Sequence, residues 1–387
     1  MNRRNFFKLT GTCTGGLLLL PDFLYSFAMQ ENLSKDDSCL VFIQLMGGND
    51  GLNTFIPYTD DLYYHLRPNV AIPKNEVINS KNGMGWHPAL PGFAKMQQDN
   101  NLSVIQNVGY PGETHSHFRS QEIWQTGSNP TEYLTTGWLG RFLDHQHEHS
   151  ALGGINFGNI DTLALRGVQP NSLSLKNPKA FKDAQGTVNT KLSNNPQLDF
   201  VRKVANSITE GSTELERALS KSGPSTVTYP GGPLSKNLEW MARLIKGDLN
   251  SKVYFTTLNG FDTHSSQTSK HLNLFKTLDD AVFSFYTDLK QAQVLEKVTI
   301  VIYSEFGRRV VSAANGTDHG TAAPMFIIGG KNKGAIIGKN PDLLNLNNGD
   351  LIYETDFRSV YASLLKNKFN FKPDQIGIKN AALQGLF

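Results

Sequence analysis

Four stretches of the 387-residue chain are largely apolar without strict alternation: Cys39–Leu45, Leu102–Val108, Val253–Leu258 and Val298–Tyr303. Such runs read as strands covered on both faces, and each is shorter than an ordinary helix. Helical patterns lie between them. Leu238, Met241, Ala242, Leu244 and Ile245 fall on one face, as do Leu274, Leu278, Ala281, Val282, Phe285 and Leu289. Strand, helix, strand in that order predicts an α/β fold of three αβα layers, with a largely parallel central sheet between two helical layers. A last helix is expected from Asp356 to Lys366, and a short proline-started one near His87–Met96.

In a parallel sheet the loops after residues 45, 108, 258 and 303 open on one edge, so their side chains can meet. These loops carry Asp50, the Thr114–His117 group, Asp262 with His264, and Glu305 with Arg308. Asp318 and His319 return to that edge before the strand Met325–Ile328. Carboxylates with neutral imidazoles form a ligand set for zinc or a similar divalent ion, one or two of them. The expected metal residues are Asp50, Asp262, His264, Glu305 and His319. Each also has a plainer use. Asn49-Asp50-Gly51 is a natural turn, Asp262 a helix cap, and Glu305 a structural partner for Arg308. Ser116 or Thr114 can cap the helix that follows, and a hydroxyl there is also placed to be a nucleophile near helix N–H groups that hold an anion.

The N-terminus sets a different constraint. Arg3-Arg4 precedes Phe6, Phe7 and Lys8, and a short apolar run to Leu20 ends at Pro21-Asp22. That pattern is a twin-arginine export signal, with Ser26-Phe27-Ala28 as the cleavage site, and the run is too short to span a bilayer. Residues 1–28 are therefore expected to leave, and 29–387 to fold as one domain in the periplasm or outside the cell, with no stable membrane anchor. The twin-arginine translocase is the partner that this route implies. Arg3, Arg4, Lys8 and Asp22 give the signal a net +2 of the formal +3, so no nucleic-acid surface is indicated. Cys13 would be lost with the signal, and Cys39 alone can form no internal disulfide.

From 145 to 233 Asn, Ser, Lys and Gly dominate. This stretch is expected to be a polar insertion or lid holding one amphipathic helix from about Pro196 to Ser220, with Thr162–Leu165 as its one buried-strand run. His145, His147 and His149 alternate there, and a solvated helix end explains them better than a metal site.

Several motifs in fixed order carry a family resemblance: Leu45-Met-Gly-Gly-Asn-Asp-Gly-Leu-Asn, His115-Ser-His-Phe-Arg-Ser-Gln-Glu-Ile-Trp, Gly260-Phe-Asp-Thr-His, Ser304-Glu-Phe-Gly-Arg and Thr317-Asp-His-Gly-Thr-Ala. Through them the chain resembles the DUF1501 family of twin-arginine-exported proteins along nearly all of its mature length. That family looks related to the alkaline phosphatase and sulfatase superfamily. The resemblance implies that Asp50 matches the first metal aspartate and Ser116–Gly127 the nucleophile helix. It likewise makes His319 similar to the late metal histidine, and Leu278–Val282 similar to the helix after the middle metal pair. Two positions depart from the superfamily pattern. Asp262 and His264 stand two apart where it has four, and Glu305 replaces an Asp-His pair.

The function expected from this reading is metal-dependent hydrolysis of a phosphate or sulfate ester, on a small molecule or a glycan. Ser116 would attack, and Arg308 or Arg119 would clamp the anion. The alternative is an exported binding or assembly protein that keeps the fold without turnover, which the Glu305 departure motivates. A serine carboxylesterase would need an early Gly-Asp-Ser turn and a late Asp-x-x-His, and the chain has neither.

Overall fold

Strand β1 (Cys39–Met46) lies at the middle of a nine-stranded sheet, and its residues alternate between two cores. The computed structural model describes residues 38–146, 152–158, 161–176, 211–312 and 314–387. The export signal and the histidines at 147 and 149 lie outside them. The other sheet strands are β2 (Leu102–Gly109), β3 (Gly154–Phe157), β4 (Ser172–Leu175), β5 (Val253–Asn259), β6 (Val298–Ser304), β7 (Ala323–Gly329), β8 (Ile336–Ile337) and β9 (Thr355–Asp356). They run in the order β8-β2-β7-β6-β1-β5-β3-β4, with β9 also paired to β2.

Leu40 and Phe42 point to the layer formed by helices α2 (His117–Thr126), α3 (Trp138–Asp144) and α6 (Phe357–Phe369). Val41, Ile43 and Leu45 point to the opposite layer of α1 (Pro91–Gln98), α4 (Pro233–Lys246) and α5 (Gln267–Gln291). Burial on both faces is why these strands are apolar at successive positions. The three-layer αβα reading therefore describes the structure. Asp356 starts α6 by accepting from Arg358 N at 2.9 Å, and Pro91 opens α1.

One strand breaks the parallel pattern. β7 runs antiparallel to both β6 and β2, while every other pairing in the sheet is parallel. The described residues of the 305–322 segment between β6 and β7 form no helix that could carry the chain back across a face, so the chain turns at the edge and returns antiparallel. Glu305 and His319 consequently stay on the edge where the parallel strands β1, β2 and β5 end.

The 145–233 stretch differs from a polar lid in its described parts. It supplies β3 and β4, which extend the sheet beyond β5, and it buries Leu152, Ile155, Phe157 and Leu175. These strands are four residues each, too short to stand out among polar neighbours. Leu163–Leu165 is a turn of 3-10 helix rather than a strand, begun by Thr162 Oγ1 accepting from Ala164 N at 3.3 Å. Of the expected 196–220 helix, residues 211–222 are described and helical.

Burial raises the Cys39 thiol to about 12, so it is inert in the core. Asp279, one of the paired acids on α5, faces inward and caps α1, accepting from Gly92 N and Phe93 N at 2.9 Å each. Burial pushes its pKa up to about 6 against those two donors. The folded value lies above the ordinary 3.8, so its contribution to stability is greatest below pH 3.8 and is lost as pH rises through about 6. Asp279→Asn should therefore flatten the dependence of the thermal midpoint on pH between 3.8 and about 6. Asp279→Ala should lower that midpoint at every pH, at a cost of about 1–3 kcal/mol for each buried N–H left without an acceptor.

Candidate metal centre

At the end of β1 the chain must pass very close to its neighbours. Gly47 has φ +117°, and a Cβ there would lie 2.3 Å from Asp262 N. Gly48 has φ +75°, and a Cβ there would lie 2.4 Å from the Phe306 ring. Only glycine fits this packing. The buried carbonyls of Gly47 and Gly48 accept from the Arg308 guanidinium, as do Phe261 O and Thr317 O at 3.0 Å each. The same guanidinium donates to Asp262 Oδ1 at 2.7 Å. One buried cation thus joins the loops after β1, β5 and β6.

Asp262 Oδ1 is the point on which three imidazoles converge. His264 Nε2 is 2.9 Å from it, His319 Nε2 3.3 Å and His117 Nε2 3.5 Å. Each ring is turned by a bond at its other nitrogen. His117 Nδ1 meets Glu305 Oε1 at 3.0 Å, His319 Nδ1 meets His115 O at 2.8 Å, and His264 Nδ1 meets Asp318 Oδ1 at 3.3 Å. Carbonyl and carboxylate oxygens only accept, so a proton belongs at each Nδ1; the Nε2 atoms, which also face the carboxylate of Asp262, present lone pairs inward when a cation lies between them and carry protons otherwise. The carbonyl of His115 reaches His319 because His115 holds φ +58°, a strained position for a residue with a side chain.

This donor set fits a divalent cation. His117 Nε2 is buried and has no hydrogen-bond partner among the described residues. His264 Nε2 and His319 Nε2 face each other at 3.1 Å, an arrangement that repels unless a proton or cation lies between them. Donor atoms around a four-coordinate ion with bonds of about 2.0–2.1 Å stand about 3.3–3.4 Å apart. The three Nε2 atoms stand 2.9 to 3.5 Å from Asp262 Oδ1. Two overlapping triads, His117–Asp262–His319 and His264–Asp318–His319, keep their ligand atoms within 4.8 Å of one another.

The electrostatics agree with the geometry. Burial would raise the Asp262 carboxyl, but the hydrogen bond and charge of Arg308, with His319 and His117 beyond, bring it down to about 2. The hydrogen bond to Glu305 raises His117 above the usual histidine value, opposed by burial. Burial works against the Glu305 carboxylate, yet donors from His117, Gly47 N and Gln121 hold its pKa below the ordinary value.

Asp262, His264 and His319 therefore meet as expected from the sequence. Glu305 is at the site but in another role: it is buried, it orients His117, and it does not reach the inner cluster. Asp50 is not a ligand here. Arg67 already supplies its cation through a fully buried ion pair, and Gln267 donates to the same oxygen. Arg308 does not clamp a substrate anion, because its side chain is fully buried and its donors are spent on backbone carbonyls and Asp262. Arg119 does not either. Its guanidinium bonds Glu122, Pro130 O and Glu132 O and lies 3.9 Å over the Tyr133 ring. Ser116 is the cap of α2, its Oγ accepting from Arg119 N at 3.5 Å, with no hydrogen bond to the imidazoles among the described residues.

Two residues at the centre were not picked out as ligands from the sequence, His117 and Asp318. The His115-x-His117 spacing was the available signal. The residue after a helix cap begins the first turn, and its side chain can turn toward the strand edge.

Residues 241–357 match the DUF1501 family. Its description is a protein of unknown function. The match spans the motifs from Gly260 to His319, the stretch that supplies Asp262, His264, Glu305, Arg308, Asp318 and His319. No curated protein matches the chain in sequence. Several solved structures are similar to it in fold. They include Ps i-CgsB in complex with k-i-k-neocarrahexaose, at 10% identity over 89% of this chain and 74% of that one, TM-score 0.44. They include the PsFucS1 sulfatase from Pseudoalteromonas sp., at 10% identity over 95% and 78%, TM-score 0.40. A protein in the alkaline phosphatase superfamily from Vibrio parahaemolyticus matches at 13% identity over 79% and 63%, TM-score 0.37.

Partners that orient a ligating imidazole are worth about 10–100-fold in metal affinity. Glu305→Gln, which keeps an oxygen acceptor but removes the charge behind His117, should weaken Zn²⁺ binding by about tenfold in a competition titration against a chelating dye. An unchanged affinity would show that His117 does not ligate.

Proposed function

We propose that the chain is an exported metal-dependent hydrolase acting on a phosphate or sulfate ester of a small molecule or glycan. The observation that carries this reading is the convergence of three Nδ1-anchored imidazoles and a carboxylate on one point at the carboxyl edge of the sheet. A divalent ion held by His117, Asp262, His264 and His319 would polarise an ester oxygen and make a nucleophile available at neutral pH.

The chain's own residues do the rest. Glu305, Asp318 and the His115 carbonyl keep the three rings in one tautomer. Arg308 holds Asp262 ionised and in place. Asp262 and His264 are each about half exposed, so an ester can approach from solvent, whereas Glu305 closes the inner side. Ser116 stays in the reading as a nucleophile that would have to leave its weak cap bond with Arg119 N.

A second reading, a binding or assembly protein without turnover, is favoured by one observation. Both arginines expected to hold the substrate anion are committed elsewhere. The two readings separate on the mature protein, assayed with zinc, manganese and calcium against aryl phosphates and aryl sulfates. Turnover abolished by His319→Ala supports the hydrolase. Retained metal without turnover on either ester class supports the binding protein. Ser116→Ala should abolish turnover if the hydroxyl attacks, and leave it nearly intact if water does.

Export rests on Arg3 and Arg4. Replacing both by Lys should hold the chain in the cytoplasm of a bacterial host, which fractionation and immunoblotting would show. Unchanged periplasmic accumulation would rule out the twin-arginine route.

A further inference from the structure

Resting on the metal reading above, we infer that the centre holds one divalent ion, and that the buried guanidinium of Arg308 is its permanent cationic neighbour where a two-ion site would need a second metal.

The two candidate triads share His319. Its Nδ1 is committed to His115 O at 2.8 Å, so only Nε2 can ligate, and a single lone pair serves a single ion. The second triad also falls apart when its members are placed. Asp318 Oδ1 sits 3.3 Å from His264 Nδ1, which makes it the acceptor that aims the ring. His264 Nε2 then points at Asp262 Oδ1, 2.9 Å away, and at His319 Nε2, 3.1 Å away. Those are members of the first triad. His264 is therefore a further donor to the same ion, and Asp318 stands to it as Glu305 stands to His117.

The carboxylates that a second ion would require are already balanced. Asp50 is paired with Arg67 in full burial. Glu305 takes its hydrogen bonds from His117, Gly47 N and Gln121. Asp262 meets Arg308 at 2.7 Å on the very oxygen that the imidazoles face. Arg308 cannot withdraw, since Gly47 O, Gly48 O, Phe261 O and Thr317 O hold it from the other sides. A second divalent ion beside a fixed guanidinium would meet repulsion, and the carboxylate of the second triad, Asp318, is exposed to solvent and engaged with His264 Nδ1, so it offsets little of it.

The test is a count of ions. The mature protein is stripped with chelator, titrated with Zn²⁺ or Mn²⁺, and measured by calorimetry and by elemental analysis after desalting. One equivalent per chain is expected, with a single binding isotherm. Two tight equivalents would overturn the inference while leaving the metal reading intact. None would overturn both. Asp318→Asn provides a second check. An orienting role predicts that one equivalent still binds, at an affinity reduced by about tenfold. A fall from two equivalents to one would place Asp318 as the ligand of a second ion and refute the assignment.

Discussion

The guanidinium of Arg308 is the contact on which the rest of the centre depends. Three loops leave the sheet edge after β1, β5 and β6, and loops of this kind have no ladder to hold them. Their carbonyls at Gly47, Gly48, Phe261 and Thr317 point inward and need donors. One planar group with five N–H bonds satisfies them together, which an ammonium could not do with the same geometry. Removing the guanidinium would leave these buried carbonyls without donors, at about 1–3 kcal/mol for each that water cannot reach. The two glycines belong to the same arrangement. Without them the β1 loop could not come close enough to Asp262 and Phe306 for a single side chain to span all three loops.

From that frame the imidazoles follow. Asp262 is held ionised by Arg308, so it attracts whatever cationic or polar edge faces it. Each ring reaches it from a different element: His117 from the first turn of α2, His264 from the loop after β5, and His319 from the return toward β7. Their outer nitrogens are fixed by three unlike acceptors: a buried carboxylate, an exposed carboxylate and a backbone carbonyl. Orientation of this kind fixes which ring nitrogens face inward before any ligand arrives, so binding needs little reorganisation. The Phe306 ring packs against His117 and His319, with centroids 4.8 and 5.1 Å away, and limits their tilt.

The sequence was most legible where burial dictates composition. β1, β2, β5 and β6 are apolar on both faces because helices cover both, and the three-layer plan follows from their spacing. The loops after them could be assigned to one edge for the same reason, which brought Asp262, His264, Glu305 and His319 together. Direction within the edge was not legible. Whether Asp50 looks toward the cluster or toward Arg67 depends on a residue seventeen positions on, and nothing in the Gly47–Asn53 motif specifies it. Arg308 and Arg119 were read as anion clamps because a cation beside candidate ligands has two uses, and only burial and carbonyl partners decide between them. β3 and β4 went unread because four-residue strands at the far end of a sheet carry too little apolar pattern to rise above polar surroundings.

The centre is asymmetric, and that asymmetry bears on what it can do. On the inner side Glu305 is fully buried, and His117 Nε2 is buried with no hydrogen bond among the described residues. On the outer side Asp262, His264 and Asp318 are roughly half to two-thirds exposed. An ion held between them would have its protein donors fixed on one side and solvent on the other. A purely structural metal is normally closed off by its ligands, whereas chemistry requires a coordination position that solvent or substrate can take. Four protein donors would fill a tetrahedral ion, so solvent or substrate would join as a fifth ligand on the exposed Asp262–His264 side. The antiparallel return of β7 makes this possible. It brings His319 back to the edge from the outside, so the donor set closes around the inner half of the site and leaves the outer half to solvent.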